Sequence, residues 1–167
     1  MCYLSIIRDL YDNSITAYHM SRNMTVKLVL DTINKAMEKE NVTVGLQLHS
    51  DQGEQYISHE YFMLTQSYGI TQSMSRGGNL YDNALAENFF PILKSECINC
   101  VKLAVYQPTR LLIDEYIHVY NNYRIQTKTK LTPFEKRNQF VACILIFCIM
   151  QGFFVLSVHF GAVHFLF

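Results

Sequence analysis

From Val42 to Leu48 apolar and polar residues alternate strictly, with Val42, Val44, Leu46 and Leu48 on one side. A period of two is the mark of a strand with one buried face. Such a strand delivers Asp51 just past its C-terminal end. The surrounding order narrows the fold further. Tyr3–Leu10 and Ile15–Met20 are rich in β-branched and aromatic residues around the turn cluster Asp12-Asn13-Ser14, which reads as a hairpin. Thr25 can cap a helix whose apolar face is Val26, Val29, Leu30, Ile33 and Met37, ending near Asn41. Ser58 can cap a second helix to about Tyr68, and Ile70–Met74 is a short strand. Gly77-Gly78 is a turn, and Asn79 is a good cap for a helix carrying Glu87. Pro108 opens an amphipathic helix ending around Asn121-Asn122, and Thr132-Pro133 starts one short closing element. Hairpin, helix, strand, helix, strand, helix is the order of a mixed α/β sheet with crossover helices.

Composition bounds what such a sheet could serve. Half of the 167 residues are apolar and 17% are charged, which supports an ordinary core and one domain with an appendage. The chain has no net charge, so it lacks the overall basic signature of a strong nucleic-acid binder. Residues 1–71 carry five basic and eight acidic side chains, and residues 72–140 carry nine and six. A phosphate-facing surface is therefore expected in the second segment. The first eight residues do not read as a secretory signal, so the five cysteines are expected as thiols in a reducing cytoplasm. Cys97 and Cys100 form a lone Cys-x-x-Cys with no further zinc ligands close by.

Two blocks carry the chemistry. One is Leu48-His49-Ser50-Asp51-Gln52-Gly53-Glu54-Gln55-Tyr56. The other runs from Ser73-Met74-Ser75-Arg76-Gly77-Gly78 through Asp82-Asn83-Ala84 to Ala86-Glu87-Asn88-Phe89-Phe90. Between Asp51 and Glu87 lie 35 residues. An isolated Asp or Glu is ordinarily a turn cap or a helix-surface charge. Here the flanking words occur together and in order. They continue through Leu93-Lys94-Ser95-Glu96, Tyr116-Ile117, Tyr120-Asn121-Asn122, Arg124, Lys130-Leu131-Thr132-Pro133, Glu135 and Arg137-Asn138. Over about residues 1–139 the chain resembles the integrase catalytic core of insertion-sequence transposases, in the DDE, retroviral-integrase-like superfamily.

The resemblance implies a ribonuclease H-like mixed sheet with flanking helices. It also implies two of three metal-holding acids, Asp51 and Glu87, with Mg2+ or Mn2+ as the cofactor and DNA as the substrate. The implied reaction is strand cleavage and transfer of a 3′-hydroxyl. Lys94, seven residues after Glu87, and Arg76, beside a glycine turn, are candidates for meeting phosphate. His49, next to Asp51 but opposite the Leu48 face, is expected to serve in hydrogen-bonded packing.

The family's first strand and first acid lie upstream of the segment matching Tyr3, so both are expected to be missing, leaving a sheet edge exposed. Asp9 and Asp12 match the second strand and its turn, not the first acid. Pro91 is expected inside the Glu87 helix, where proline costs about 3 kcal/mol or kinks the backbone. Residues 139–167 carry no charge, and 140–167 form an apolar tail. Its length permits a membrane anchor preceded by Lys136 and Arg137, or it is an apolar extension of a decayed element. Three readings stay open: an incomplete, inactive cytoplasmic transposase core; a fragment that binds DNA, its own copies or a full-length transposase and interferes; and a tail-anchored membrane protein.

Overall fold

The computed structural model describes residues 2–40, 45–75, 88–100, 106–146 and 155–161, of which 106–107, 140–146 and 155–161 are described by their backbone. The elements in chain order are β1 (Tyr3–Asp9), β2 (Ile15–Ser21), α1 (Val26–Lys39), β3 (Gln47–Ser50), α2 (His59–Ser67), β4 (Thr71–Met74), α3 (Phe89–Glu96), α4 (Tyr106–Asn122), α5 (Pro133–Ile146) and β5 (Val155–Gly161). The hairpin, the crossover helices and the strand that ends before Asp51 are all present. The strand is shorter than the alternation suggested. Gly45 takes φ +101, a left-handed conformation open to glycine at no steric cost, so β3 starts only at Gln47. Val42–Val44 lie outside the described residues.

The sheet order is β2-β1-β5-β3-β4, and β5 sets it. The last described strand lies at the centre, antiparallel to β1 from Leu4↔Gly161 to Asp9↔Leu156. On its other side it is parallel to β3 through Gln47↔Val155, Leu48↔Leu156 and His49↔Ser157. The outer pairs are β1 with β2, antiparallel, and β3 with β4, parallel. The exposed edge expected beside the hairpin is therefore covered, by part of the tail. Strands sit about 4.8 Å apart, so without β5 the hairpin and the β3–β4 pair would face each other across about 10 Å with no hydrogen bonds between them.

Helices cover both faces. On one face Leu4, Ile6, Ile15 and Met20 pack with Phe89, Phe90 and Leu93 of α3 and Ile113, Ile117 and Tyr120 of α4. On the other, Ile7, Ala17 and Leu48 pack with Val29, Ile33 and Ala36 of α1 and with Tyr56 and Tyr61. β1 is buried on both faces, as a strand inside a three-layer sandwich must be. Asn121 ties α4 to β2, accepting from the Ile15 N–H at 2.9 Å and donating to the Ile15 carbonyl at 3.0 Å.

Two proline expectations change. α3 begins at Phe89, so Pro91 falls in its first turn, where no intrahelical N–H is required. α5 is no short closing element: it runs 14 residues and enters the tail. Its start is a capping box. Thr132 Oγ1 accepts from the Glu135 N–H at 3.2 Å, and Glu135 Oε2 accepts from the Thr132 N–H at 2.8 Å.

Candidate active site

β3 and β4 end side by side, and Asp51 stands at that end. The ends are fixed by short polar ties. Ser75 N–H donates to the Ser50 carbonyl at 3.0 Å, and Gln52 Nε2 donates to the Ser75 carbonyl at 3.2 Å. His49 sits with Nδ1 2.9 Å from Ser73 Oγ and Nε2 3.0 Å from Ser75 Oγ. Both ring nitrogens are thus engaged across the β3–β4 seam, the packing use that alternation suggested.

Asp51 is half-buried. Its Oδ1 accepts the Gly53 N–H at 2.8 Å, an Asx turn that orients the carboxylate. Space at Gly53 is tight: a Cβ would lie 3.0 Å from Asp51 Oδ1 and 3.2 Å from Gln55 Oε1, so these side chains would have to give way. Among the described residues no hydrogen bond to Asp51 Oδ2 is found. Beneath the turn lies Tyr56, fully buried and edge-on to Tyr61 at 5.4 Å between ring centres. Burial pushes the Tyr56 phenol well above its ordinary value, and the Asp51 carboxylate adds to that shift.

Glu87 and Arg76 lie outside the described residues. The described chain resumes at Asn88, and the next two residues, Phe89 and Phe90, are buried against the β1–β2 face. Lys94 is half-buried on α3 and forms no ion pair among the described residues. A single oxygen donor, Asp51, is thus present in described form. Its chemistry suits a hard divalent cation, which takes carboxylate oxygen and keeps several waters.

Asp9 and Asp12 are committed elsewhere. Asp9 pairs with Leu156, the residue level with Leu48, so it sits toward the end of the sheet away from Asp51. Arg137 reaches Asp12 Oδ2 at 2.6 Å, Asp9 Oδ2 at 3.4 Å and Glu40 Oε1 at 3.0 Å. Arg137, considered as a flank to a membrane anchor, is an internal ionic tie. A second cluster joins α3 to the end of α4. Arg124 binds Glu96 through Nε at 2.9 Å and Nη2 at 2.8 Å, the Tyr116 hydroxyl donates to Glu96 Oε2 at 2.8 Å, and the guanidinium lies 5.7 Å from the Tyr120 ring centre. Sequence reasoning saw these residues only as words of a resemblance. Pairing across 28 residues of chain has no local signal.

Known proteins match both halves of this arrangement. Two family profiles, each described as an integrase core domain, match residues 1–79 and 87–141. A protein of Escherichia coli, InsK of insertion sequence element IS150, is 41% identical over 138 residues, covering 82% of this chain and 49% of the relative. The transposase for insertion sequence element IS904 of Lactococcus lactis is 39% identical over 120 residues, 72% of this chain and 47% of its own length. The chain thus spans about half the length of these relatives. Among solved structures, the HTLV-2 integrase catalytic core in complex with magnesium, in trimeric form, has a TM-score of 0.60 at 15% identity, covering 80% of this chain and 83% of that one. At that identity the likeness speaks for the ribonuclease H-like fold alone.

Proposed function

Because the chain belongs to the integrase core family of insertion-sequence transposases, we propose that it binds DNA and derives from an enzyme of metal-dependent strand cleavage and transfer. In this reading Asp51 and Glu87 hold Mg2+ or Mn2+, and Arg76 and Lys94 neutralise phosphates. The observation that carries it is Asp51 itself: a carboxylate at a strand end, oriented through one oxygen by the Gly53 N–H, with no hydrogen bond to the other among the described residues. A bound divalent ion would supply an activated water and a counter-charge for the phosphate. The chain's own part is to fix the carboxylate and to place Lys94 on α3, the helix that follows Glu87.

We further infer that the folded chain binds DNA without joining it. β3 lies between β5 and β4, and neither Val-Leu-Ser-Val-His-Phe-Gly of β5 nor Thr-Gln-Ser-Met of β4 contains a carboxylate. In-line displacement needs both attacking and leaving oxygens positioned, so a depleted acid set gives far less than proportional activity. A core of this kind can occupy DNA or associate with copies of itself or a longer transposase in the cytoplasm, and so interfere with transposition. The membrane-anchored alternative has less to support it. Among the described residues no helix is long and apolar enough to cross a membrane.

The test pairs salt-dependent DNA binding with strand transfer on linear DNA bearing element ends, in Mg2+ and in Mn2+. Lys94→Ala and Arg76→Ala should each weaken binding and lower the salt slope by about 1. Unchanged slopes in both would reject the phosphate role. Robust joining that vanishes in Asp51→Asn and in Glu87→Gln would reject the inactive reading.

A further inference from the structure

β2 is an outer strand of the described sheet, and cations gather along it. Lys35 and Lys39 are one helical turn apart on α1, so both ammonium groups lie on one side of that helix. Lys39 Nζ donates to the Thr16 carbonyl at 3.1 Å, and Lys35 Nζ to the Tyr18 carbonyl at 3.5 Å. Lys35 Nζ also stands 2.8 Å from His19 Nδ1. On the other face of the sheet α4 brings Arg110 to the same strand. These side chains line one cavity of about 260 Å³ between α1, β2 and α4.

The charge there is unbalanced. Lys35, Lys39 and Arg110 face a single lining carboxylate, Asp114. Asp114 accepts from the Tyr18 hydroxyl and meets Arg110 only through Nε, at 4.0 Å. Among the described residues Lys35 and Lys39 bind neutral partners, and an ammonium has three donors to give. His19 records the excess. Burial and then Lys35 lower its imidazole below the ordinary value, and Arg110 and Lys27 add to that. Asp31, 3.8 Å from Nε2, offsets only part of it. Like charges around a half-buried ring repel until an anion joins them. Lysines also guard sheet edges against strand addition. That duty needs the two carbonyl contacts and leaves Arg110 and the cavity without a use.

We propose that this cavity is a site for one phosphate group, held by Lys35, Lys39 and Arg110. Pockets for larger organic ligands run to about 300–1,000 Å³, and this smaller one suits a single tetrahedral anion. It is separate from Asp51: β2 and β3 are three strand spacings apart, roughly 14 Å. The proposal does not rest on the reading of Asp51 as a metal ligand. Two of the three cations come from residues 1–71, where acidic side chains outnumber basic ones, so a charge count along the chain gives no sign of the site.

The experiment uses the full 167-residue chain with a chelator present, so that phosphate cannot bind through a metal ion. Inorganic phosphate is titrated against chloride at matched ionic strength. Nitrogen-15 histidine spectra follow the His19 ring, assigned with His19→Gln. Phosphate should raise its titration midpoint, because a nearby anion favours the imidazolium, and the effect should saturate. Lys39→Gln and Arg110→Gln, both at exposed positions, should each weaken phosphate about tenfold. Lys27→Gln, exposed and outside the cavity, should not. A saturating effect that Lys39→Gln and Arg110→Gln both leave unchanged would overturn the proposal. So would a His19 midpoint and a melting temperature that are the same in phosphate and in chloride. A short DNA duplex identifies the source of the phosphate. DNA binding that phosphate competes and Arg110→Gln weakens assigns the site to the DNA backbone. Phosphate binding, with DNA binding unchanged in that variant, assigns it to the free anion.

Discussion

Arg137 reaches Asp12 across 125 residues of chain, Nε to Oδ2 at 2.6 Å, and Asp12 is 1% exposed. The same guanidinium serves Asp9, Glu40 and the Ser14 hydroxyl. This pins the start of α5, and so the route of the tail, to the turn of the first hairpin. Removing the cation leaves buried carboxylates uncompensated. Arg137→Ala should cost about 3–5 kcal/mol, read as the shift in urea midpoint. A loss below about 1 kcal/mol would mean that water replaces the guanidinium freely.

Two carboxylates, Glu96 and Asp9, are shifted in opposite directions and so oppose each other in acid. Arg124, through its hydrogen bonds, holds Glu96 below its ordinary value. That stabilisation is present above the unfolded-state value and is lost as pH falls through the folded one. Burial, and then the nearby Asp12, raise Asp9. Its folded state takes up a proton more readily than the unfolded chain, so falling pH through that range favours the fold. Thermal melts between about pH 3 and 7 should show a flatter acid limb in Glu96→Gln and a steeper one in Asp9→Asn. Parallel limbs in all three proteins would refute the assignment.

β5 is the only described link between the hairpin and the β3–β4 pair within the sheet. Val158 pairs with Ile7 at the middle of the strand. Proline there removes a ladder donor from a central strand, where it is not tolerated. Val158→Pro, or deletion of residues 147–167, should abolish cooperative unfolding and drive the protein into aggregates. Gel filtration and circular dichroism check this. A monomeric, cooperatively melting deletion would show that the sheet closes some other way.

The Asp51 turn admits no side chain at position 53 without movement. In Gly53→Ala the new Cβ, 3.0 Å from Oδ1, forces the carboxylate aside. Mn2+ affinity should fall about tenfold, while stability changes by less than about 1 kcal/mol because the turn is at the surface. Equal affinity in wild type and variant would mean that the carboxylate is not held by this turn.

Much of the architecture was legible in the chain because it depends on neighbours in sequence. Alternation around Leu46 and Leu48 announced the strand before Asp51, although Gly45 delayed its start. The Asp12-Asn13-Ser14 cluster announced the hairpin turn, and Ser58 its helix, with Oγ accepting from Tyr61 N–H at 3.2 Å. The words around Asp51 and Glu87 pointed to the family, and the comparisons show it. The tail was not legible. Its apolar run was read as a membrane anchor or as an extension of a decayed element, and the strand within it was not foreseen, since local preference cannot say what a hydrophobic segment will be buried against.

Sequence alone therefore determined the first hairpin, the crossover helices, the strand that ends before Asp51 and the kinship with integrase cores. The tertiary structure decided that the last described strand is the central one and that Arg137 is an internal tie. The physical reason is that strand pairing and ion pairing join residues more than a hundred positions apart. Such contacts are chosen by which backbone edge and which buried charge remain unsatisfied after local structure has formed, and no short window of residues contains that information.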